Sequence, residues 1–154
     1  MELLEKLKVA PTAAIVMLQA RPLYTSGLAA RYYTMLDLDG VQEVSAEIGK
    51  VFRHFTDIVL YRKKFIRYLL EQYLDNDLPV QVCILGAGLD PLSLWLMENR
   101  RDAVSGIFEV DDAHIPLKSA LYNKILPEPS IIHFIQADIT HTLHLLDKLR
   151  DAGY

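Results

Sequence analysis

Gly86 and Gly88 follow the apolar run Val80-Gln81-Val82-Cys83-Ile84-Leu85, and Asp111 closes a second run, Phe108-Glu109-Val110, about one βαβ unit later. A short apolar strand that breaks into Gly-x-Gly brings bare backbone to a ligand where any Cβ would clash. An acidic residue at the end of the next strand can accept the hydroxyls of a ribose. Gly86, Ala87, Gly88 and Asp111 therefore form a candidate nucleoside site. Glu109 has the same strand parity as Asp111, so it either shares that task or partners a buried cation. Asp112 reads as an exposed helix cap.

The chemistry next to the glycines argues against a dinucleotide. Pro91 stands where the third glycine of a dinucleotide fingerprint would be. Pro suits the first helical position, and Asp90 before it reads as an N-cap. That cap uses the helix N-terminal donors and adds a negative charge, so a pyrophosphate is disfavoured. A ligand with a ribose, cationic groups and no phosphate meets no such conflict, and S-adenosylmethionine is such a ligand. The plainer alternative is a glycine turn that only packs helix on strand.

Other reactive side chains carry less. His141 and His144, near Asp138, lack the Cys or further ligands that a metal site needs. Ser93 lacks a Gly-x-Ser-x-Gly elbow and reads as an early-helix residue. Cys83, the one cysteine, lies inside an apolar strand and reads as a small core residue, which excludes an internal disulfide and fits a reducing compartment.

The elements that must position these residues follow from periodicity. A short helix is expected over residues 2–8, then one from a Thr12 cap through Gln19, ending at Pro22, and another over 25–36. Asp37-Leu38-Asp39-Gly40 reads as a turn. Residues 44–74 form one long helix or two that break near Thr56-Asp57. After a loop at 75–79 come strand 80–85, helix 91–99, strand 104–110, helix 113–124, a loop at 126–130, strand 131–136 and helix 141–151. Helices between short apolar runs imply parallel strands joined by crossovers. The expected organisation is an N-terminal helical cap over 1–57 and, over 58–154, the first half of a Rossmann-like S-adenosylmethionine-binding domain.

The stretch QVCILGAGLDPLSLWL, at 81–96, resembles the first motif of the leucine carboxyl methyltransferase family. FEVDDAHIPLK, at 108–118, is similar to its second motif, and IIHFIQADITHTLHLLDKL, at 131–149, to its third. The resemblance implies a Rossmann-like class I methyltransferase fold that uses S-adenosylmethionine to methylate a carboxyl or hydroxyl oxygen of a small molecule or peptide. It implies that Asp138 and Ile139 hold the adenine edge, and that Arg62 grips the cofactor's carboxylate. It names no catalytic residue. Members usually run longer, so the fold is expected to be incomplete here: the chain is the N-terminal part of a longer enzyme, or it dimerises through an exposed sheet edge. The first is preferred.

Composition bounds the rest. The chain has 154 residues, just over half of them apolar, and a net charge of −4, which argues against a nucleic-acid surface. The apolar stretch 9–18 is too short for a bilayer and contains Pro11, while Glu2 and Glu5 are wrong for a signal peptide, so a cytoplasmic location is expected. Two further readings stay open: a non-catalytic α/β association module, and a regulator that binds an adenosine nucleotide.

Overall fold

A computed structural model describes residues 7–8, 11–75, 78–127 and 129–154. The expected helix over 2–8 lies outside the described residues except at Leu7 and Lys8, which form a strand, and positions 76 and 77 of the expected loop also lie outside them. The chain divides into two compact units, Met1–Tyr73 and Leu74–Tyr154.

The first unit is helical, with a parallel ribbon of β1 (Leu7–Lys8) and β2 (Leu36–Asp37). Helix α1 (Pro11–Ala20) starts one residue before the expected Thr12 cap, at a proline whose fixed φ suits a first turn. It runs into a 3-10 turn, Arg21–Leu23, around Pro22. Helix α2 (Gly27–Thr34) is shorter than expected, because Ser26 is extended and Leu36 has joined β2. The long periodic segment is two helices, α3 (Gln42–Val51) and α4 (Phe55–Leu74). They part at Phe52, whose ψ of 81° leaves the helical region four residues before Thr56. Inside this unit the Tyr33 hydroxyl donates to the Met17 carbonyl at 3.1 Å, and the Tyr24 and Tyr33 rings lie 5.6 Å apart.

The second unit is a three-stranded parallel sheet in the order β3 (Val80–Leu85), β4 (Val104–Asp111), β5 (Ile132–Gln136). Helices α5 (Leu92–Asn99), α6 (Ile115–Tyr122) and α7 (Thr142–Asp151) alternate with the strands. Parallel neighbours require such crossovers. Phe108, Val110 and Ile135 on one face pack with Leu145 and Leu149 of α7. The opposite face carries Glu109 and Phe134, which meet Lys118 and Tyr122 of α6. This is the expected α/β architecture, with parallel strands that follow an N-terminal helical segment in the sequence, and it has seven α-helices among the described residues. The register Leu85↔Val110↔Ile135 aligns the three carboxyl ends, so the segments that leave them emerge together. Among the described residues no helix is long and apolar enough to cross a membrane.

Candidate functional site

At that edge Gly86, Asp111, Asp112, Ala113, His114, Ala137, Asp138 and Ile139 line a cavity of about 370 Å³. Small-molecule sites span ~300–1,000 Å³, so it is large enough for a ligand. Gly86 and Gly88 have φ of +64° and +51°, the left-handed region that only glycine enters without strain. A Cβ on Gly86 would meet no heavy atom within 4 Å, so bare backbone there leaves open the space a side chain would occupy. The turn is tied to β4: the Ala87 N–H donates to the Val110 carbonyl at 2.9 Å, and the Gly88 N–H donates to Asp111 Oδ2 at 3.0 Å.

Asp111 is the hub. Its Oδ1 accepts the backbone N–H groups of Ala113 and His114 at 3.0 and 2.9 Å, and His114 Nδ1 stands 3.2 Å away. Burial works to raise its carboxyl, but the N–H groups of His114 and Gly88 and the His114 ring outweigh this and hold it below the ordinary aspartate value. The carboxylate is therefore ionised near neutrality. Since it can only accept, Nδ1 of His114 carries the proton in their contact. The entry to α6 is thus held by Asp111; Asp112, read from the sequence as the cap, is exposed at the cavity wall.

Asp138 follows β5. Its Oδ1 accepts the Thr140 N–H and hydroxyl at 2.8 and 2.7 Å, and these bonds hold its carboxyl below the ordinary value. Its Oδ2 lies 3.9 Å from His141 Nδ1, and the side chain is 43% exposed. Ile139 is 45% exposed, an apolar wall beside two acids.

Glu109 does not line the cavity. It is fully buried, 2.5 Å from Lys118 Nζ, and Ser93 Oγ donates to its Oε1. Lys118, also fully buried, donates to the Asp90 carbonyl at 2.5 Å, and so joins β4 to the segment that follows the glycine turn. Burial pushes the Glu109 carboxyl up and the Lys118 ammonium down, and the attraction between them opposes both shifts. Asp90 caps α5 from one position further back than expected, with Oδ1 accepting the Leu92 N–H at 3.0 Å, while Pro91 is the boundary residue.

Of the sequence-derived candidates, Gly86, Asp111, Asp138 and Ile139 share the cavity; Ala87 and Gly88 form the turn behind it. Arg62 belongs to the first unit, on α4, and is exposed there. His114, Ala113 and Ala137 line the cavity without having been singled out. The one available signal was the position of His114 three residues after an acid at a strand end. Among the described residues no group of three or more His, Cys, Asp or Glu could hold a metal ion.

The family model described as leucine carboxyl methyltransferase matches residues 13–154. The chain belongs to the leucine carboxyl methyltransferase family. No curated protein and no solved structure matches it. Leucine carboxyl methyltransferases use S-adenosylmethionine as methyl donor, and membership implies methyltransferase activity. The mixed α/β fold with its parallel sheet agrees with a methyltransferase-like architecture. The residues present suit this donor: space left by a glycine, an acceptor at the end of β4, and acids along the cavity that favour positive charge.

Proposed function

We propose that this leucine carboxyl methyltransferase family chain binds S-adenosylmethionine at the carboxyl edge of β3, β4 and β5. The reaction it serves is methyl transfer to a carboxyl or hydroxyl oxygen of a small molecule or peptide. The observation that supports this best is the shared cavity of Gly86, Asp111, Asp138 and Ile139.

In this reading Asp111 accepts from the ribose, and the backbone of Gly86, Ala87 and Gly88 leaves room for the methionine and sugar portions. Asp138 Oδ2, the oxygen that Thr140 does not use, accepts from the exocyclic amine of adenine. The Ile139 N–H serves a ring nitrogen, and its side chain covers the base. The acids Asp111, Asp112 and Asp138 favour a ligand that carries positive charge and no phosphate. The bound cofactor supplies an already electrophilic methyl, so the protein's work is to orient donor and acceptor and to keep them in line.

Calorimetric titration of the folded chain with S-adenosylhomocysteine tests the reading, and saturable one-to-one binding is expected. Asp111→Ala removes a charge-assisted hydrogen bond and should weaken that binding by roughly tenfold to a hundredfold. Equal affinity in parent and variant removes Asp111 from the site.

A further inference from the structure

A buried ion pair is a costly way to fill an interior, and a well-packed apolar pair of similar volume often holds it as well or better. The Lys118 ammonium does something an apolar side chain cannot: it donates to the Asp90 carbonyl at 2.5 Å while it stands 2.5 Å from Glu109 Oε2. Asp90 has two further ties. Its N–H donates to the Ala87 carbonyl at 3.2 Å and closes the glycine turn, and its Oδ1 accepts the Leu92 N–H at the start of α5. The near side of the turn is fastened to β4 by the Ala87 and Gly88 N–H groups, on Val110 and Asp111. Its far side is fastened to the same strand through Lys118 and Glu109. Glu109 is itself fixed, since Ser93 Oγ donates to its Oε1 and the Tyr122 hydroxyl lies 3.2 Å from that serine. With the serine proton on the carboxylate, the tyrosine supplies the proton of the second contact. Lys118, Glu109 and Ser93 are fully buried and do not line the cavity, where the turn is represented by Gly86.

We infer that Lys118 is a positioning residue for the glycine turn: through the Asp90 carbonyl it holds the turn at a fixed distance from Asp111, and so sets affinity for the cofactor without touching it. This rests on the cofactor reading above and adds a residue that acts on the same site from beneath. A turn fastened on one side only would still fold, because the Ala87 and Gly88 bonds remain. It would lose the fixed span between bare backbone and the Asp111 carboxylate that one ligand must bridge.

The test is calorimetry with S-adenosylhomocysteine on the parent, on the double variant Glu109→Gln, Lys118→Met and on Ser93→Ala, with thermal unfolding of each. The double variant removes both charges but leaves the Asp90 carbonyl without its donor. It should recover more than half of the stability lost in Lys118→Met, yet bind roughly threefold to tenfold more weakly than the parent, the worth of one net hydrogen bond. Ser93→Ala loosens the buried network but keeps the lysine on Asp90, so it should lose stability and bind as the parent does. A purely structural pair predicts affinity that follows stability in all three proteins. Amide hydrogen exchange on the parent reads the tie without any substitution. The Gly88 and Asp90 N–H groups should exchange as slowly as those of β4, since a turn fastened on both sides opens only with the strand. Where the parent binds, a double variant that binds equally well, or turn amides that exchange freely, overturn the positioning role and leave the cofactor reading in place. A folded parent that takes up no S-adenosylhomocysteine overturns both.

Discussion

Glu109 and Asp111 lie on the same side of β4, one pleat repeat apart, and meet different surroundings. Glu109 is sealed in the unit's interior, where its partners are the side chains of Lys118 and Ser93. Asp111 stands at the strand's end, where its partners are mostly backbone N–H groups of the glycine turn and of the entry to α6. Identical chemistry is thus divided by depth. An acid whose charge is matched by a buried cation is committed to holding the scaffold. An acid held by backbone donors at an open edge keeps its charge and its access to a ligand. The first acid also serves the second, because Lys118 reaches from Glu109 to the Asp90 carbonyl and so joins β4 to the chain beyond the glycine turn.

The largest effect should come from breaking the inner pair. Lys118→Met leaves Glu109 without a counter-charge in an interior that excludes water, a loss of about 3–5 kcal/mol. For a chain of this size that is on the order of 10 °C in Tm. The double variant Glu109→Gln, Lys118→Met removes both charges and should recover more than half of the loss. Thermal and urea unfolding of the four proteins checks this as a double-mutant cycle. A Lys118→Met protein that melts with the parent would show that the pair does not hold the strand to the turn.

At the outer acid the expected cost is smaller and depends on pH. Asp111→Ala removes the acceptor that serves two N–H groups at the entry to α6, worth roughly 1–2 kcal/mol as a lost cap. Asp111→Asn keeps an acceptor oxygen and should lose about half as much or less. The Asp111 carboxyl is lower in the folded protein than its ordinary value of 3.8. Its contribution is therefore fully present above that value and is lost as pH falls through the lower, folded one. Denaturant midpoints should show a constant gap between parent and Asp111→Asn at neutral pH that narrows only below the ordinary aspartate range. A gap that closes already near neutrality would contradict the lowered carboxyl.

The same contrast explains what was legible in the sequence. Strand β3 has the bounds read from its apolar run, and β4 and β5 each differ from theirs by one residue at one end, because a short apolar run between turn residues leaves few alternatives. The glycines and Asp111 were legible for a related reason, since strand ends in a parallel sheet converge on one edge. The burial of Lys118 was not, because a lysine in an amphipathic stretch reads as solvated unless its buried partner is known. Nor was the part played by His114, whose ring reaches Asp111 through the local path of the chain between β4 and α6. Asp112 was misread because either of two adjacent acids could cap the next helix, and only the turn's geometry favours Asp111. The break at Phe52 has no proline to announce it.

The smallest effect should appear at Asp138, which extends the comparison to the neighbouring strand. Asp111 is wrapped by four donors from three residues, whereas Asp138 is bonded on one oxygen by Thr140 and has a side chain that is 43% exposed. Little of the unit depends on it, so Asp138→Ala should unfold close to the parent. If Oδ2 accepts from adenine, however, the substitution removes one exposed hydrogen bond from the ligand, and affinity for S-adenosylhomocysteine should fall by roughly threefold to tenfold. Inosine-type analogues carry a carbonyl in place of the exocyclic amine and would be repelled by the parent's carboxylate, so Asp138→Ala should discriminate against them less than the parent does. Calorimetry with S-adenosylhomocysteine and S-inosylhomocysteine on both proteins reads the difference directly. Equal discrimination in the two would leave Asp138 as a turn residue, and the base would then have to be recognised by backbone groups and Ile139 alone.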